Sequence, residues 1–429
     1  MTIKYVNVKV DTTGLFRTEA VNYSNIGMVG KKTSSGSASI GDVDKVLSPS
    51  QGESLYGADS ALSNSIDIAF QNGATVIYAT PADVSVETLD ETFSGDGNTT
   101  EFTLANQPAQ PLESVTVDST PQVEGTDFKV DYGNKKITFF TAPASGTDNI
   151  SVDYNQHSAT DIQDALALLE QKPVNIVVGA MINDQTLLED IYDHVIAQLD
   201  LQRIGVYMLK NGETSTTFAA TIESEKSILI AHKSELKDVA SAMAGRIAGV
   251  VPWESLTMKP LLGIQQGDLQ FTETERQAFE AKQINVSTDP PKLTGSGEVI
   301  DIGWTLDPTG TLQFIDLVRT ALFVADTLET GLTRPDIIGK IPINLAGMKE
   351  LDVKAAAVLN PWKRAGAFSA FTLINEARKL FENPTTENLP ERQALQASRS
   401  LSGAYAYGVE IVVNQKIIYV DINLSLVGG

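Results

Sequence analysis

Three histidines, His157, His194 and His232, are the residues best suited by type to bind a transition metal or to transfer protons. None of them has a partner at the spacing that metal sites use. The chain contains no cysteine, which excludes thiol catalysis, disulfide frameworks and most structural zinc sites. No Gly-x-Ser-x-Gly, His-Glu-x-x-His or dinucleotide-binding glycine motif occurs in it. We therefore predict no catalytic residue, no metal and no cofactor.

Two short patterns look like ligand-binding loops but depart from them. Gly30-Lys31-Lys32-Thr33 has glycine and lysine like a phosphate-binding loop, yet its first glycine is wrongly spaced and Lys32 stands where Ser or Thr is required. Asp96-Gly97-Asn98 suggests a calcium loop, but the glutamate at the twelfth position is missing. A hairpin turn explains these residues more simply. Neither pattern predicts a binding site.

Composition and charge narrow the function classes further. The 429 residues are 42% hydrophobic and 20% charged, which is typical of a globular chain of two or three domains. The formal net charge of −22 speaks against binding to a phosphate backbone or to anionic lipid. The sequence has neither the apolar centre of a signal peptide at its start nor a run of about 18 apolar residues. We predict folding in the cytosol, no direct nucleic-acid partner and no membrane insertion.

Both ends of the chain show the alternation of a half-buried strand. Large aliphatic side chains occupy every second position near each end: Val6, Val8, Val10, Ile418, Val420, Ile422, Leu424 and Leu426. Burying such a side chain stabilises by roughly 1.5–3 kcal/mol, whereas fixing each residue costs about 1–2 kcal/mol. The strands must therefore pair, either within their own domain or by addition to the sheet of a neighbouring copy.

Between the two ends, helices and buried strands alternate. A helix over Leu55–Asn72 ends at Gly73 and is followed by the apolar run 74–79, which we interpret as a buried strand. Two further strands are predicted at Val174–Val178 and Ile204–Leu209, each next to a helical pattern. This alternation favours an α/β layer with a parallel or mixed sheet.

The window from Asp83 to Gln156 differs from the rest in composition. It contains 13 Asp or Glu and three Lys, a net charge of −10. Turn signals recur about every ten residues between short β-prone segments. We interpret this window as a small all-β domain inserted into the α/β layer.

The C-terminal third is predicted to be mainly helical. Helices are expected at Thr311–Glu329, at Phe368–Phe381, where aliphatic and aromatic residues recur at helical spacing, and at the charged stretch Glu391–Leu401. Farther upstream, five small residues would let one helix face approach another backbone closely: Ala240, Ala244, Gly245, Ala248 and Gly249.

Four segments, taken in order, resemble the contractile tail sheath proteins of bacteriophages and of related contractile injection machines. They are Met243–Ile264, with the pattern MAGRIAG…PW…KPL.GI, the strand Gln283–Val286, the GWTL segment at Gly303–Leu306 and FIDLVRT at Phe314–Thr320. No single segment is specific. Their order and gaps are similar to those of the family from Ala240 to about Glu329.

The resemblance implies an α/β (α+β) sheath core with an inserted all-β domain and extended terminal strand arms. The implied boundaries are 1–20 for the N-terminal strand arm, 21–82 and 157–310 for the two parts of the α/β core, 83–156 for the outward-facing acidic insert, 311–408 for the α-rich C-terminal domain and 409–429 for the C-terminal strand arm.

The function implied by the resemblance is that of a structural subunit and not of an enzyme. Such subunits polymerise around an inner tube and shorten to drive it through a cell envelope, and their terminal arms link copies by strand addition. The implied partners are the chain itself, the inner tail tube protein, and the baseplate and tail-terminator proteins. The implied location is the tail sheath of a virion assembled in the host cytoplasm.

The resemblance also implies functions for individual residues of a sheath subunit. The alternating residues at the two ends would form the inter-subunit strands. Gly14, Gly403 and Gly408 are candidate hinges beside them, or ordinary turn glycines. Four positive charges would face the inner tube, or else belong to a solvated helix face: Arg378, Lys379, Arg392 and Arg399.

Two other function classes stay open on the sequence. The β-rich insert would carry the carboxylates of a carbohydrate-active hydrolase in one, and the recognition surface of a ligand-binding surface protein in the other. Assembly state separates the classes, because a sheath subunit forms rings or long hollow polymers. A hydrolase stays small and degrades a polysaccharide.

Overall fold

The computed structural model describes residues 23–197, 202–234, 237–264, 270–290, 297–332, 340–398, 407–414 and 416–422, and all structural statements concern these residues. The strands are, in chain order, β1 (Ile26–Gly30), β2 (Asp44–Val46), β3 (Ile77–Pro81), β4 (Val86–Gly95), β5 (Glu101–Thr103), β6 (Ser114–Val117), β7 (Thr120–Pro121), β8 (Phe128–Asp131), β9 (Lys136–Phe139), β10 (Gly146–Gln156), β11 (Ile176–Gly179), β12 (Ile204–Met208), β13 (Ser227–Ala231), β14 (Asn285–Thr288), β15 (Val299–Ile300), β16 (Ala370–Asn375), β17 (Tyr407–Val413) and β18 (Lys416–Ile422). The helices are α1 (Pro49–Tyr56), α2 (Ala61–Gln71), α3 (Ala159–Leu169), α4 (Gln185–Ala197), α5 (Val239–Ala248), α6 (Glu273–Glu280), α7 (Ile315–Leu332), α8 (Leu345–Arg364), α9 (Glu376–Glu382) and α10 (Leu389–Ser398). Across the described residues, no helix is both long and apolar enough to span a bilayer.

Eight strands form one mixed sheet in the order β15-β14-β13-β12-β11-β1-β3-β2. The six inner strands are parallel, and the short outer strands β15 and β2 run antiparallel to their neighbours. The first strand lies inside the sheet, where Ile26 is opposite Ile77 of β3 on one side and Ile176 of β11 on the other. The predicted α/β layer with a mixed sheet is confirmed. From β1 the chain first adds strands on one side, at β3 and β2, and later adds strands on the other side, from β11 to β15. The order of the strands therefore reverses between β1 and β11.

Side chains of the central strands are buried on both faces of this sheet. In β1, Ile26 and Met28 belong to the core shared with α2 and α5, whereas Val29 belongs to the core shared with α3 and α4. In β11, Val178 joins the first core and Val177 the second. Because both faces are covered, these strands form continuous apolar runs in the sequence instead of alternating ones.

Helix α5 lies very close to α2, as its small residues predicted. A Cβ atom on Gly245 would lie 2.3 Å from the carbonyl oxygen of Ala69, and one on Gly249 would lie 2.9 Å from that of Asn72. After α2, Gly73 has a φ of +112°, and its Cβ would meet the Cα of Gly249 at 2.8 Å. The two helix backbones are therefore in direct contact.

The segment from β4 to β10 consists of two antiparallel sheets. One contains β4, β10, β6 and β7, and the other contains β5, β9 and β8. They share an apolar core of their own, which includes Phe102, Phe128, Phe139 and Tyr154. The ring centroid of Phe139 lies 5.8 Å from those of both Phe102 and Phe128. We refer to residues 86–156 as the β-rich segment.

The C-terminal part combines helices with a three-stranded sheet. Helices α7 and α8 pack together and share a core with β17. Strand β17 pairs antiparallel with β16 on one side and with β18 on the other. The predicted helix over Phe368–Phe381 is wrong in its first half, because Ala370–Asn375 forms β16, and helix α9 begins only at Glu376.

Within the described residues, the C-terminal strand is β18, and it pairs inside its own chain. Seven residue pairs join it to β17, from Tyr407 opposite Ile422 to Val413 opposite Lys416. Ile418, Val420 and Ile422 therefore lie in the sheet of their own molecule. The other alternating residues of the two ends lie outside the described residues: Val6, Val8, Val10, Leu424 and Leu426.

Substitution of Gly245 by alanine is expected to destabilise the protein. In most helices this change stabilises by up to about 1 kcal/mol, but here the new methyl group would force α5 away from Ala69. We expect urea denaturation to show a loss of roughly 1–3 kcal/mol of unfolding free energy. The matched control is Gly52→Ala in α1, because its Cβ would meet only side-chain carbons of Ile66, at 3.0 Å or more. Equal stability of the Gly245→Ala variant and the unmodified chain would contradict the close packing.

Candidate functional site: the assembly surfaces

Each of the three histidines contacts a group of its own chain. Nδ1 of His157 lies 2.6 Å from the carbonyl oxygen of Asp83, and Nε2 of His232 lies 2.8 Å from a backbone carbonyl oxygen. Nε2 of His194 accepts a hydrogen bond from Nη1 of Arg203 at 2.7 Å. Burial, together with that guanidinium, lowers the pKa of His194 to about 4. In the parts of the chain that are described, no three acidic or histidine side chains are grouped to hold a metal ion.

A crevice of about 400 Å³ opens at the carboxyl ends of β11 and β12, beside the end of β1. It lies where chain order reverses between β1 and β11, which is the position where open parallel sheets bind ligands. One wall is the loop 180–184 after β11, and the opposite wall is the loop 105–110 of the β-rich segment. The β-rich segment therefore covers one side of the crevice.

Lys31, the first residue after β1, attaches the β-rich segment to the sheet. Its side chain is 5% exposed, and Nζ donates to the carbonyl oxygen of Pro111 and to Oε1 of Glu113, both at 2.7 Å. Burial lowers the pKa of Lys31, and the Glu113 carboxylate opposes that shift. In the Gly30–Thr33 pattern, Lys31 thus binds groups of its own chain. The sequence analysis did not predict this contact.

Two further contacts hold the β-rich segment, or Ser85 directly before it, against the α/β layer. Ser85 donates from its backbone N–H at 3.1 Å and from its hydroxyl at 2.8 Å to Oδ2 of Asp161, in the first turn of α3. After β12, Nδ2 of Asn211 donates to Oδ2 of Asp131 at 3.0 Å, and Nδ2 of Asn134 donates to the Asn211 carbonyl oxygen at 3.0 Å. Together with the lysine contact these are three separate attachments, so we expect the segment and the sheet to move as one body.

The C-terminal sheet has two outer strands, β16 and β18. Among the described residues, no further strand pairs with the outer edge of either one. An edge strand presents a row of free backbone N–H and C=O groups, and another chain can add a strand there. These two edges are the candidate sites of strand addition.

The positive charges expected to face a partner are partly used within the chain. Arg378 pairs with Asp352, a residue that is 9% exposed, and its Nε lies 3.5 Å from Oε1 of Glu382. Lys379 pairs with Glu376 on the same helix at 2.6 Å, and both side chains are exposed. Arg378 therefore has a partner inside the fold, whereas Lys379 presents its charge to solvent.

The remaining candidate residues lie on α10, in β17 or outside the described residues. Nη2 of Arg392 donates to the carbonyl oxygen of Thr385 at 3.2 Å. Gly408 is paired with Ile374 on one side and with Asp421 on the other, and its role as a hinge stays a prediction. Three residues lie outside the described ranges: Gly14, Arg399 and Gly403.

The fold is similar to that of several solved sheath proteins. A sheath tail protein from Desulfitobacterium hafniense aligns with a TM-score of 0.58 and 13% identity, over 94% of this chain and 96% of the other. A sheath tail protein from Listeria innocua aligns with a TM-score of 0.56 and 13% identity, over 94% and 95%. The anti-feeding prophage helical sheath in its contracted state aligns with a TM-score of 0.52 and 11% identity, over 87% and 89%.

These likenesses are structural, since no protein-family model matches the chain and no curated protein sequence is similar to it. Identities of 11–13% show the fold alone. Each alignment nevertheless spans most of both chains. The resemblance inferred from the segments between Ala240 and about Glu329 is thus confirmed at the level of the fold.

Replacing Lys31 by methionine is expected to loosen the β-rich segment. The change removes the Lys31 donor from the Pro111 carbonyl oxygen and leaves Glu113 with only the hydrogen bond from Nδ2 of Asn155, at a cost of roughly 1–3 kcal/mol of unfolding free energy. Amide hydrogen exchange should become faster in residues 105–115. In the control Lys136→Met, the lost pair with Glu101 is exposed on both sides, so neither quantity should change measurably. Unaltered exchange in the Lys31→Met variant would refute the attachment.

Replacing Arg378 by glutamine tests whether this charge is structural. Asp352 would keep the hydrogen bond from Nδ2 of Asn375 at 2.9 Å but lose its cation, and we expect unfolding free energy to fall by roughly 1–3 kcal/mol. The neighbouring variant Lys379→Gln loses only an exposed pair, so its stability should match that of the unmodified chain. Equal urea midpoints for the two variants would show that Arg378 has no structural role.

Proposed function

We propose that the protein is a structural subunit of a contractile sheath, which polymerises around an inner tube and shortens to drive that tube through a cell envelope. The observation that supports this proposal is the near full-length likeness to sheath proteins, one of them a helical sheath in its contracted state. A role of this kind belongs to the whole fold and its surfaces, and needs no catalytic residue.

The internal attachments of the subunit support this role. Contraction requires subunits that reorient as rigid bodies while their connections persist. The contacts of Lys31, Asp161 and Asn211 hold the β-rich segment to the sheet. The direct backbone contact between α2 and α5 adds to the rigidity, because a close-packed interior does not deform continuously.

For the connections between copies we propose strand addition at the outer edges of β16 and β18. One donated strand is the part of a neighbour's N-terminal arm (residues 1–20) that precedes Gly14, in which Val6, Val8 and Val10 share a face, and the other is residues 423–429 of another neighbour. Backbone hydrogen bonds of this kind persist while the residues beside them bend. Gly14 is the proposed bending point beside the N-terminal donated strand, and Gly403 is a second proposed hinge, ahead of β17.

The proposed partners follow from this arrangement. Copies of the chain stack as rings around the inner tube protein, and baseplate and tail-terminator proteins close the two ends. The tube-facing surface includes Lys379 and Arg392, while the β-rich segment, within a window of net charge −10, faces outward into solvent. The proposed location is a tail sheath assembled in the host cytoplasm.

Electron microscopy of the purified chain tests the proposal. We expect negative-stain images at high protein concentration to show rings or hollow polymers. A variant that ends at Ile422 should stay folded but form no polymers, because it keeps β18 and lacks one of the two donated strands that link the copies. The matched control is Val123→Asp, at a residue 59% exposed in the β-rich segment, and it should still polymerise.

The possible results separate two parts of the proposal. A full-length chain that stays monomeric at every concentration would refute the assembly itself. Polymers of the variant that ends at Ile422 would refute donation by the C-terminal residues and leave the sheath role intact. Loss of polymers in the Val123→Asp control would show that the β-rich segment contacts other copies and does not face outward.

A further inference from the structure

An aromatic groove of about 350 Å³ lies beside Tyr23, the first described residue. The proposed sheath role does not assign a function to this groove. Its lining comes from the loop after α5, from α7 and α8, and from the first described residue: Val250, Val251, Trp253, Phe323, Trp362 and Tyr23. The centroid of the Phe323 ring lies 4.8 Å from that of Trp362, 5.7 Å from that of Trp253 and 6.2 Å from that of Tyr23. Two of the chain's three tryptophans thus meet one phenylalanine at this surface.

Buried Arg319 holds one wall of this groove in place. Its Nη2 donates to the carbonyl oxygen of Val250 at 3.2 Å, and its Nη1 donates to that of Val251 at 3.4 Å. The floor residue Phe323 is 2% exposed, whereas Val251 at the rim is 45% exposed. The wall and the floor of the groove are therefore held by contacts among the described residues, and well-packed aromatic clusters of this kind are typical of contact sites.

The carboxyl group of Asp326 lies beside the groove. Asp326 follows Phe323 by one turn of α7, so the two side chains project from the same face of the helix. Burial, and secondarily the charge of Glu329, raises the pKa of Asp326 to about 6. Within the described ranges, no hydrogen bond or ion pair reaches Asp326. An occupant that brings both apolar side chains and a cation would fit this surface.

The residues that lead into the groove offer such an occupant. Tyr23 is buried, and its hydroxyl donates to the carbonyl oxygen of Gln202 at 2.6 Å, so the chain before it starts from the groove itself. Leu15-Phe16-Arg17 combines two large apolar side chains with a cation. The six residues from Arg17 to Tyr23 span at most about 20 Å when extended, which keeps the segment within reach of the groove.

We propose that Leu15-Phe16-Arg17 of the same chain binds in this groove, with its apolar side chains against Trp253 and Trp362 and its guanidinium beside Asp326. The tether favours the chain's own segment over that of a second copy, because a short linker gives an effective concentration in the millimolar range. The site does not depend on the sheath role, since it is complete in an isolated subunit.

Disulfide trapping in the full-length chain tests this site, because the chain has no cysteine of its own. One variant combines Phe16→Cys with Val251→Cys at the groove rim. The matched control combines Phe16→Cys with Val123→Cys, at a residue 59% exposed in the β-rich segment. At low protein concentration and mild oxidation, we expect the intramolecular disulfide to form about tenfold faster or more in the groove pair, measured on non-reducing gels and by the mass of the linked peptides.

The alternative results each overturn the proposal. Equal rates in the two variants would show that the segment has no preference for the groove, and so would the absence of an intramolecular product. A product that is only a disulfide-linked dimer would show that the segment of a second copy occupies the groove.

Charge reversal gives a second readout that leaves Phe16 in place. In a Trp304→Phe background, fluorescence reports on Trp253 and Trp362 alone. We expect Arg17→Glu to increase acrylamide quenching and to shift the emission to the red, since the segment would be repelled by Asp326. The control Lys9→Glu should leave both quantities unchanged. Equal quenching in the two variants would overturn the assignment of Arg17 to Asp326.

Discussion

Burial of β1 on both of its faces is the constraint on which the rest of the structure depends. All five of its residues are buried between β3 and β11 and between two helical layers. Its two glycines meet this constraint by having no side chain: a Cβ on Gly27 would lie 2.7 Å from Cγ1 of Val174, and one on Gly30 would lie 2.7 Å from Cβ of Ala180. The strand therefore ends at a fixed place, and the next residue, Lys31, directly contacts the β-rich segment.

That next residue decides how the β-rich segment is placed. A buried ammonium group is costly unless it is paired and hydrogen-bonded. The partners of the Lys31 ammonium all belong to the β-rich segment, namely the carbonyl oxygens of Ala109 and Pro111 and the carboxylate of Glu113. If the segment moved away from the sheet, it would leave this charge unpaired. The electrostatic penalty thus favours one relative arrangement, which is what a subunit that reorients as a unit requires.

Periodicity predicted those parts of the fold in which burial follows a simple repeat. Strands β3, β11 and β12 are buried on both faces and so form apolar runs. The small residues of α5 indicated a close approach to another backbone, which the structure identifies as that of α2. The same reasoning failed over Phe368–Phe381, because the apolar residues of so short a stretch fit both periods, and pairing with β17 decides the outcome. The role of Lys31 could not be predicted from the sequence either. Its acceptor Pro111 lies 80 residues farther along the chain, and a local sequence pattern does not indicate a contact over that separation.

The pairing of β18 inside its own chain changes what strand addition can involve. Seven residue pairs with β17 would have to separate before residues 416–422 could join another copy, and the new backbone bonds would only replace those that were broken. The free pairing capacity lies instead at the outer edges of the sheet and in the residues after Ile422. In the proposed assembly the sheet β16-β17-β18 therefore accepts strands at its two edges, and the donated strands are the part of the N-terminal arm before Gly14 and residues 423–429 of neighbouring copies. Donor and acceptor strands need the same repeat of two, so alternation in the sequence cannot distinguish a donated strand from an accepting one. Only the hydrogen-bond partners of each strand's backbone distinguish them.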